Sequence, residues 1–291
     1  MPSYKTHSIH GEIIYDNING FIDIDKEDLK TFCIGLDSLI MTDYNTFNYL
    51  HTNNVKEYFL ELLKLIKHNK QLENKELIAF LYGQLDHYIL DLVMHPFIYY
   101  LTEDMKNQSI LTQHAILEMK IDEYIMNKYD KKDLLYYHKL TIDNQNTAFV
   151  IDKLYRNINV LNAPLKYSLG IILMVYFDTF IRRDIGILSS TIPKIINLGD
   201  IVYQDKLDEV IPYLNLDNEV WYHPETKEKF NYSFDELWDN SLILAKEMIN
   251  DVNKYLYLDK NLDNYFLLND ISYDTGIPCS AGKTLKYVKK Y

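Results

Sequence analysis

The run LYGQLDHYILDLVMHPFIYYL, residues 81–101, constrains this chain more than any other stretch. Its length and apolar character predict a helix. On that helix His87, Asp91 and His95 fall at i, i+4 and i+8 and stack along one face. Nearly all their neighbours are apolar. An ionised carboxylate in such surroundings costs several kcal/mol, roughly, unless it is paired. Either the three groups pair with one another as hydrogen-bonded core residues, or a cation holds them.

The rest of the chain reads as helical too. Only 9 Gly and 7 Pro punctuate 291 residues, and helical spacing dominates over strict alternation. Helices are expected at 25–41, 55–68, 76–100 (kinked or ended near Pro96), 109–129, 147–159, 164–183 and 233–256. Residues 55–68 are clearly amphipathic, with Tyr58, Leu62, Leu65 and Ile66 on one side. SFDE at 233–236 has the form of a capping box, Ser233 as N-cap and Glu236 three residues on. Residues 198–232 and those after Asp259 are rich in turn residues and read as irregular. The expectation is an all-α multi-helix bundle in one domain. Residues 1–130 would form its metal-site half, and residues 131–291 its supporting helices and irregular tail.

A net charge of -12 argues against a binder of polymeric nucleic acid that works by neutralising phosphates. It leaves a metal enzyme open, because bound cations reverse the local sign of a site. Cys33 and Cys279 are the only cysteines, too few and too distant for a disulfide framework. The opening MPSYKTHSIHGE has no apolar core or cleavage site of a leader. The apolar stretch from Tyr167 to Ile181 is short and carries Asp178, so it reads as a core helix and not a transmembrane segment. A cytoplasmic protein with reduced thiols is expected.

A second helical pair, His114 and Glu118 in HAILE, again stands at i and i+4. Such spacing lets one turn of helix aim an imidazole nitrogen and a carboxylate oxygen at a single ion. Zinc favours nitrogen and oxygen donors and keeps an open position for water where it is catalytic. Two such pairs together with His95 point to a helical metal site, with zinc as the metal.

The order H-Y-x-x-D, then H-P, then H-x-x-x-E resembles the bacterial zinc-dependent phospholipase C family. The resemblance covers roughly the first 125 residues. It implies the all-α fold that this family shares with fungal single-strand nucleases, and two or three zinc ions. By that analogy Asp37, His51, His87 and Asp91 hold one ion, with His51 following Asp37 by 14 residues. His95, His114 and Glu118 hold a second. Asp91 bridges to a third, completed by His7, for which His10 competes, and by the chain's amino terminus after loss of Met1. The gap between Asp91 and His95 is shorter than in secreted members. The implied reaction is hydrolysis of a small phosphoester or phospholipid by zinc-activated water, with Asp37 as ligand or as the base that orients the water. Two other readings stand beside it: a nuclease- or nucleotidase-like phosphoesterase, and a helical binding protein with a structural or vestigial metal site.

Several other features fit simpler roles. Arg182 and Arg183 end an apolar helix, where cations complement the dipole or bind phosphate. Trp221 and His223 in NEVWYHPE belong to a structural loop or to a pocket mouth. SAGKT at 280–284 lacks the spacing and the strand–helix context of a phosphate-binding loop. The spacing leaves the oligomeric state open.

Overall fold

A computed structural model describes residues 4–18, 23–105, 112–131, 141–177 and 207–290. Helices dominate them: α1 (Tyr4–Asn17), α2 (Lys26–Phe32), α3 (Tyr44–Thr52), α4 (Val55–His68), α5 (Lys75–Thr102), α6 (Gln113–Lys128), α7 (Gln145–Arg156), α8 (Ala163–Tyr176), α9 (Phe234–Tyr257) and the short α10 (Tyr265–Leu268). A two-residue antiparallel ribbon, β1 (Trp221–Tyr222) and β2 (Lys229–Phe230), completes the regular structure described. The all-α expectation holds.

Helix α5 is the axis. α1, α2, α6 and α9 all pack on it. Among the described residues it is long and apolar enough to cross a membrane, but 94% of its apolar window is buried inside the protein. It is therefore the core helix of the bundle. The large core cluster lies along its first half, with Phe32, Phe80, Tyr88 and Ile249. A second cluster, with Phe97, Ile121, Trp221 and Trp238, fills the space by its second half.

Local sequence fixes the helix starts. Asp25, Asp43, Asn74, Thr112 and Asn144 each accept a backbone N–H of the following first turn. The capping box at Ser233 and Glu236 forms as expected. The helix expected at 164–183 is described as Ala163–Tyr176, and Arg182 and Arg183 lie outside the described residues. It buries Tyr167, Ile171 and Met174 in the main core cluster and exposes Leu165, Leu169 and Tyr176, so its inner face is core and its outer face surface. Helix α5 runs through Pro96 to Thr102, without ending there.

The helix expected at 25–41 breaks in two. Helix α2 stops at Phe32, and Gly35–Leu39 forms a 3-10 turn that carries Asp37. Gly35 sits at φ +62, the left-handed region that glycine tolerates best. A Cβ there would lie 2.2 Å from His87 Cγ. The bare glycine lets the Asp37 turn press directly on the imidazole of α5.

Candidate metal centre

Three elements bring the polar face of α5 its partners. Helix α1 supplies His7, the 3-10 turn Asp37, and α3 His51; α5 itself supplies His87 and Asp91. All five side chains are buried. Asp91 Oδ2 lies 3.2 Å from His87 Nε2 and 3.6 Å from His51 Nε2. Its Oδ1 lies 3.3 Å from His7 Nε2 and 3.6 Å from His95 Nε2. Asp37 Oδ1 stands 3.3 Å from His51 Nε2 and 3.8 Å from His87 Nε2, and its Oδ2 3.9 Å from His7 Nε2.

Next to this cluster, His95 Nε2 is 3.5 Å and His114 Nε2 is 3.0 Å from Glu118 Oε1. Two groups of donors thus converge tightly enough to hold an ion: His7, Asp37, His87 and Asp91, and separately His95, His114 and Glu118, each with its donor atoms within 4.8 Å of one another. The first set contains His7 where the family analogy uses His51, yet His51 touches both of its carboxylates. Asp91 reaches toward both groups. His10 stays out of the cluster: its Nδ1 pairs with Asp86 Oδ1 at 2.7 Å and its Nε2 with Ser241 Oγ at 2.9 Å. The geometry therefore selects His7 over His10. The chain's amino terminus, the last member of the analogy's third site, lies outside the described residues.

The donor set fits zinc on two counts. His51 Nε2, His87 Nε2 and Asp91 Oδ2 are buried and have no hydrogen-bond partner. Leaving such atoms unsatisfied costs about 1–3 kcal/mol each, a cost that a shared cation removes. Two donors on a tetrahedral zinc, each about 2.0–2.1 Å from the metal, stand roughly 3.3 Å apart, and the closest pairs here lie at 3.0, 3.2 and 3.3 Å. Two of the remaining nitrogens are oriented from behind. His51 Nδ1 meets the Phe47 carbonyl at 2.8 Å and His95 Nδ1 the Tyr273 carbonyl at 3.1 Å. Backbone acceptors of this kind fix the tautomer that leaves Nε2 free to ligate.

The electrostatics are those of a tight cluster. Burial pulls the His51 imidazolium down, but Asp37 and Asp91 outweigh it and raise its pKa to about 10. Burial likewise opposes His95, yet Asp91 and Glu118 lift it to about 9. Burial wins at His87, which falls to about 4. Asp91 is held well below the carboxylate range despite its burial, because His95, His87 and His7 surround it.

At pH 7 the metal-free protein therefore keeps protons on His51 and His95. A metal takes the nitrogen lone pair only after the proton leaves. Against its burial, the His7 imidazole is also raised by Asp91 and Asp37, so zinc uptake at pH 7 is expected to release at least two protons, with affinity rising as pH climbs toward about 9. Calorimetric titrations in two buffers of different ionisation heat measure this number, and a binding enthalpy identical in both would contradict it. Both pKa values lie above the unfolded value of about 6.5. Their stabilisation of the metal-free fold is thus complete below about 6.5 and is lost as pH rises through about 9 and then about 10.

A cleft of about 380 Å³ opens onto both groups. Asp37, His51, His95, His114 and Glu118 line its floor. Ile40, Tyr44 and Phe47 give it an apolar wall. Asp274 and Lys283, which the spacing of the sequence does not single out, line it as well. They come from the C-terminal segment, whose loop is tied to α3 by the Tyr273 N–H and the Ser272 hydroxyl, both donating to the His51 carbonyl at 3.0 Å. His223 accepts the N–H groups of Glu225 and Thr226 through Nδ1, so it holds its own turn. Cys33 and Cys279 are both free thiols.

The profile of a family described as zinc-dependent phospholipase C matches residues 2–163. This chain belongs to that family. The matched span carries every donor of both groups, and the family's zinc dependence agrees with their chemistry. No curated protein and no solved structure matches the chain.

Proposed function

We propose that this member of the zinc-dependent phospholipase C family hydrolyses a phosphoester bond of a small phosphoester or phospholipid, using at least two zinc ions. One observation carries the reading: His51 Nε2, His87 Nε2 and Asp91 Oδ2, buried and without a hydrogen bond, converge beneath an open cleft. Asp37, His51, His87 and Asp91, with His7 beside them, hold one ion. His95, His114 and Glu118 hold another. When bound, zinc supplies Lewis-acid stabilisation of phosphoryl oxygens and a water of lowered pKa.

The chain's own groups do the rest. Asp37 orients the attacking water and takes its proton as the oxygen–phosphorus bond forms. The ester P–O bond then breaks: the alkoxide leaves, takes the proton that Asp37 accepted and departs as the alcohol, while the phosphorus stays with the product that gained the water's oxygen. The Ile40, Tyr44 and Phe47 wall supports a substrate with an apolar portion. The open cleft favours this reading over a closed structural site, which would have no free coordination position.

The test is Asp37→Asn. Hydrolysis of a chromogenic phosphodiester is expected to fall by about 10²-fold or more, the range for loss of a general base, while the amide oxygen retains zinc. A folded, zinc-loaded variant with wild-type turnover would remove Asp37 from catalysis. A wild-type protein that is zinc-loaded but inactive on phosphomonoesters, phosphodiesters and phospholipids would sink the hydrolase reading.

A further inference from the structure

We propose that Lys283 is a positioning residue for the His95, His114 and Glu118 group, acting on both histidines at once from the C-terminal segment. The proposal rests on the zinc reading above and concerns a residue beyond the family-matched span.

Two chains of contact lead from its ammonium. In the first, Lys283 Nζ donates to Asp274 Oδ2 at 2.8 Å. The other oxygen of Asp274 lies 3.5 Å from His95 Nδ1, beside the Tyr273 carbonyl that accepts from the same nitrogen. A carboxylate behind a ligating imidazole fixes the ring and raises its basicity. In the second, Lys283 Nζ donates to the Tyr99 hydroxyl at 2.7 Å and stands 4.0 Å from the centre of that ring. The Tyr99 ring stacks on His114, with centroids 4.4 Å apart and planes at 30°. One cation thus sets the group behind His95 and the ring against His114.

A lysine side chain holds such a position only if its backbone is held. Here the Glu225 carboxylate accepts the N–H of Leu285 at 2.8 Å and also binds the N–H and hydroxyl of Thr284. The Tyr287 N–H donates to the Pro224 carbonyl at 2.9 Å. Gly282, at φ +73, makes the bend just before Lys283. The segment is a strap fastened on one side of the cleft mouth, and Lys283 is the point where it meets the metal group. Lys283 has no contact with His95 or His114 themselves, so its role is orientation and not chemistry.

Zinc affinities of wild type, Lys283→Met, Lys283→Arg and Asp274→Asn, measured by competition with a chelator, test this. Wild type is expected to give up two ions. In Lys283→Met one ion keeps wild-type affinity, and the other weakens by about ten- to a hundred-fold, the range for lost outer-sphere support. Lys283→Arg retains more of that affinity, because its guanidinium still reaches a carboxylate. Asp274→Asn, close to isosteric, reproduces the selective loss should Lys283→Met fail to fold. The visible spectrum of cobalt(II)-loaded protein reports the same change at one site. Two ions at wild-type affinity in folded Lys283→Met, or equal weakening of both, would overturn the proposal while leaving the hydrolase reading in place. A wild-type protein that takes up no zinc would overturn both.

Discussion

Asp91→Asn is expected to strip zinc from both donor groups and to reduce hydrolysis by more than about a hundred-fold, since outer-sphere changes alone cost 10–100-fold. Four imidazoles depend on this one carboxylate. His87 and His51 face one of its oxygens at 3.2 and 3.6 Å, and His7 and His95 the other at 3.3 and 3.6 Å. The metal-free protein should suffer too. With His51 and His95 raised to about 10 and about 9 by their carboxylates, both are cations at pH 7. Removing a buried partner from such a pair costs about 3–5 kcal/mol. Urea unfolding of chelator-treated wild type and variant at pH 7 measures this directly. A difference under about 1 kcal/mol, the level of an ordinary exposed pair, would show that Asp91 does not hold the cluster together.

Gly170→Ala is expected to be as damaging from outside the cluster. Gly170 lies on α8, where that helix packs on the 3-10 turn of Asp37. A Cβ there would stand 1.6 Å from the carbonyl oxygen of Ser38, a backbone atom that cannot swing aside. Either α8 lifts away or the turn moves. Overpacking of this kind costs about 1–3 kcal/mol and sometimes more, against a helix-propensity gain of about 1 kcal/mol. Because Asp37 follows from the turn, the variant should also bind zinc more weakly. Thermal unfolding with and without zinc checks both effects. A variant that is as stable as wild type and binds zinc equally would mean that the contact between α8 and the Asp37 turn does not set the site.

The elements that were legible in the sequence are those whose signal is local. Helix α4 shows its amphipathic stripe, α9 announces its start with Ser233 and Glu236, and α5 displays its polar face in the spacing of His87, Asp91 and His95. The elements that were not legible depend on partners far along the chain. Helix α1 buries Thr6, His7, Ser8 and His10, so polar residues lie on its inner face and no apolar stripe marks it. The break after Phe32 falls within an apolar run, and only the approach of His87 to Gly35 shows why a helix cannot continue there.

The same division holds for the centre itself. Ligand types in the right order pointed to His7, Asp37, His51, His87, Asp91, His95, His114 and Glu118, and the fold brings all eight to one cleft floor or the cluster beneath it. Choosing His7 over His10 needed the structure, because His10 is claimed by Asp86 and by Ser241, 231 residues away in sequence. Asp274 and Lys283 had no spacing to reveal them. They sit in a turn-rich segment and meet α5 only through the fold, His95 and Tyr273 being 178 residues apart.

The central claim is that His51 on α3 and His87 and Asp91 on α5 belong to a zinc centre. Metal analysis by mass spectrometry on protein purified without chelators tests it most directly. Two or more zinc ions per chain, retained through gel filtration, are expected. Folded protein that carries no zinc, and takes none up when it is supplied, would contradict it.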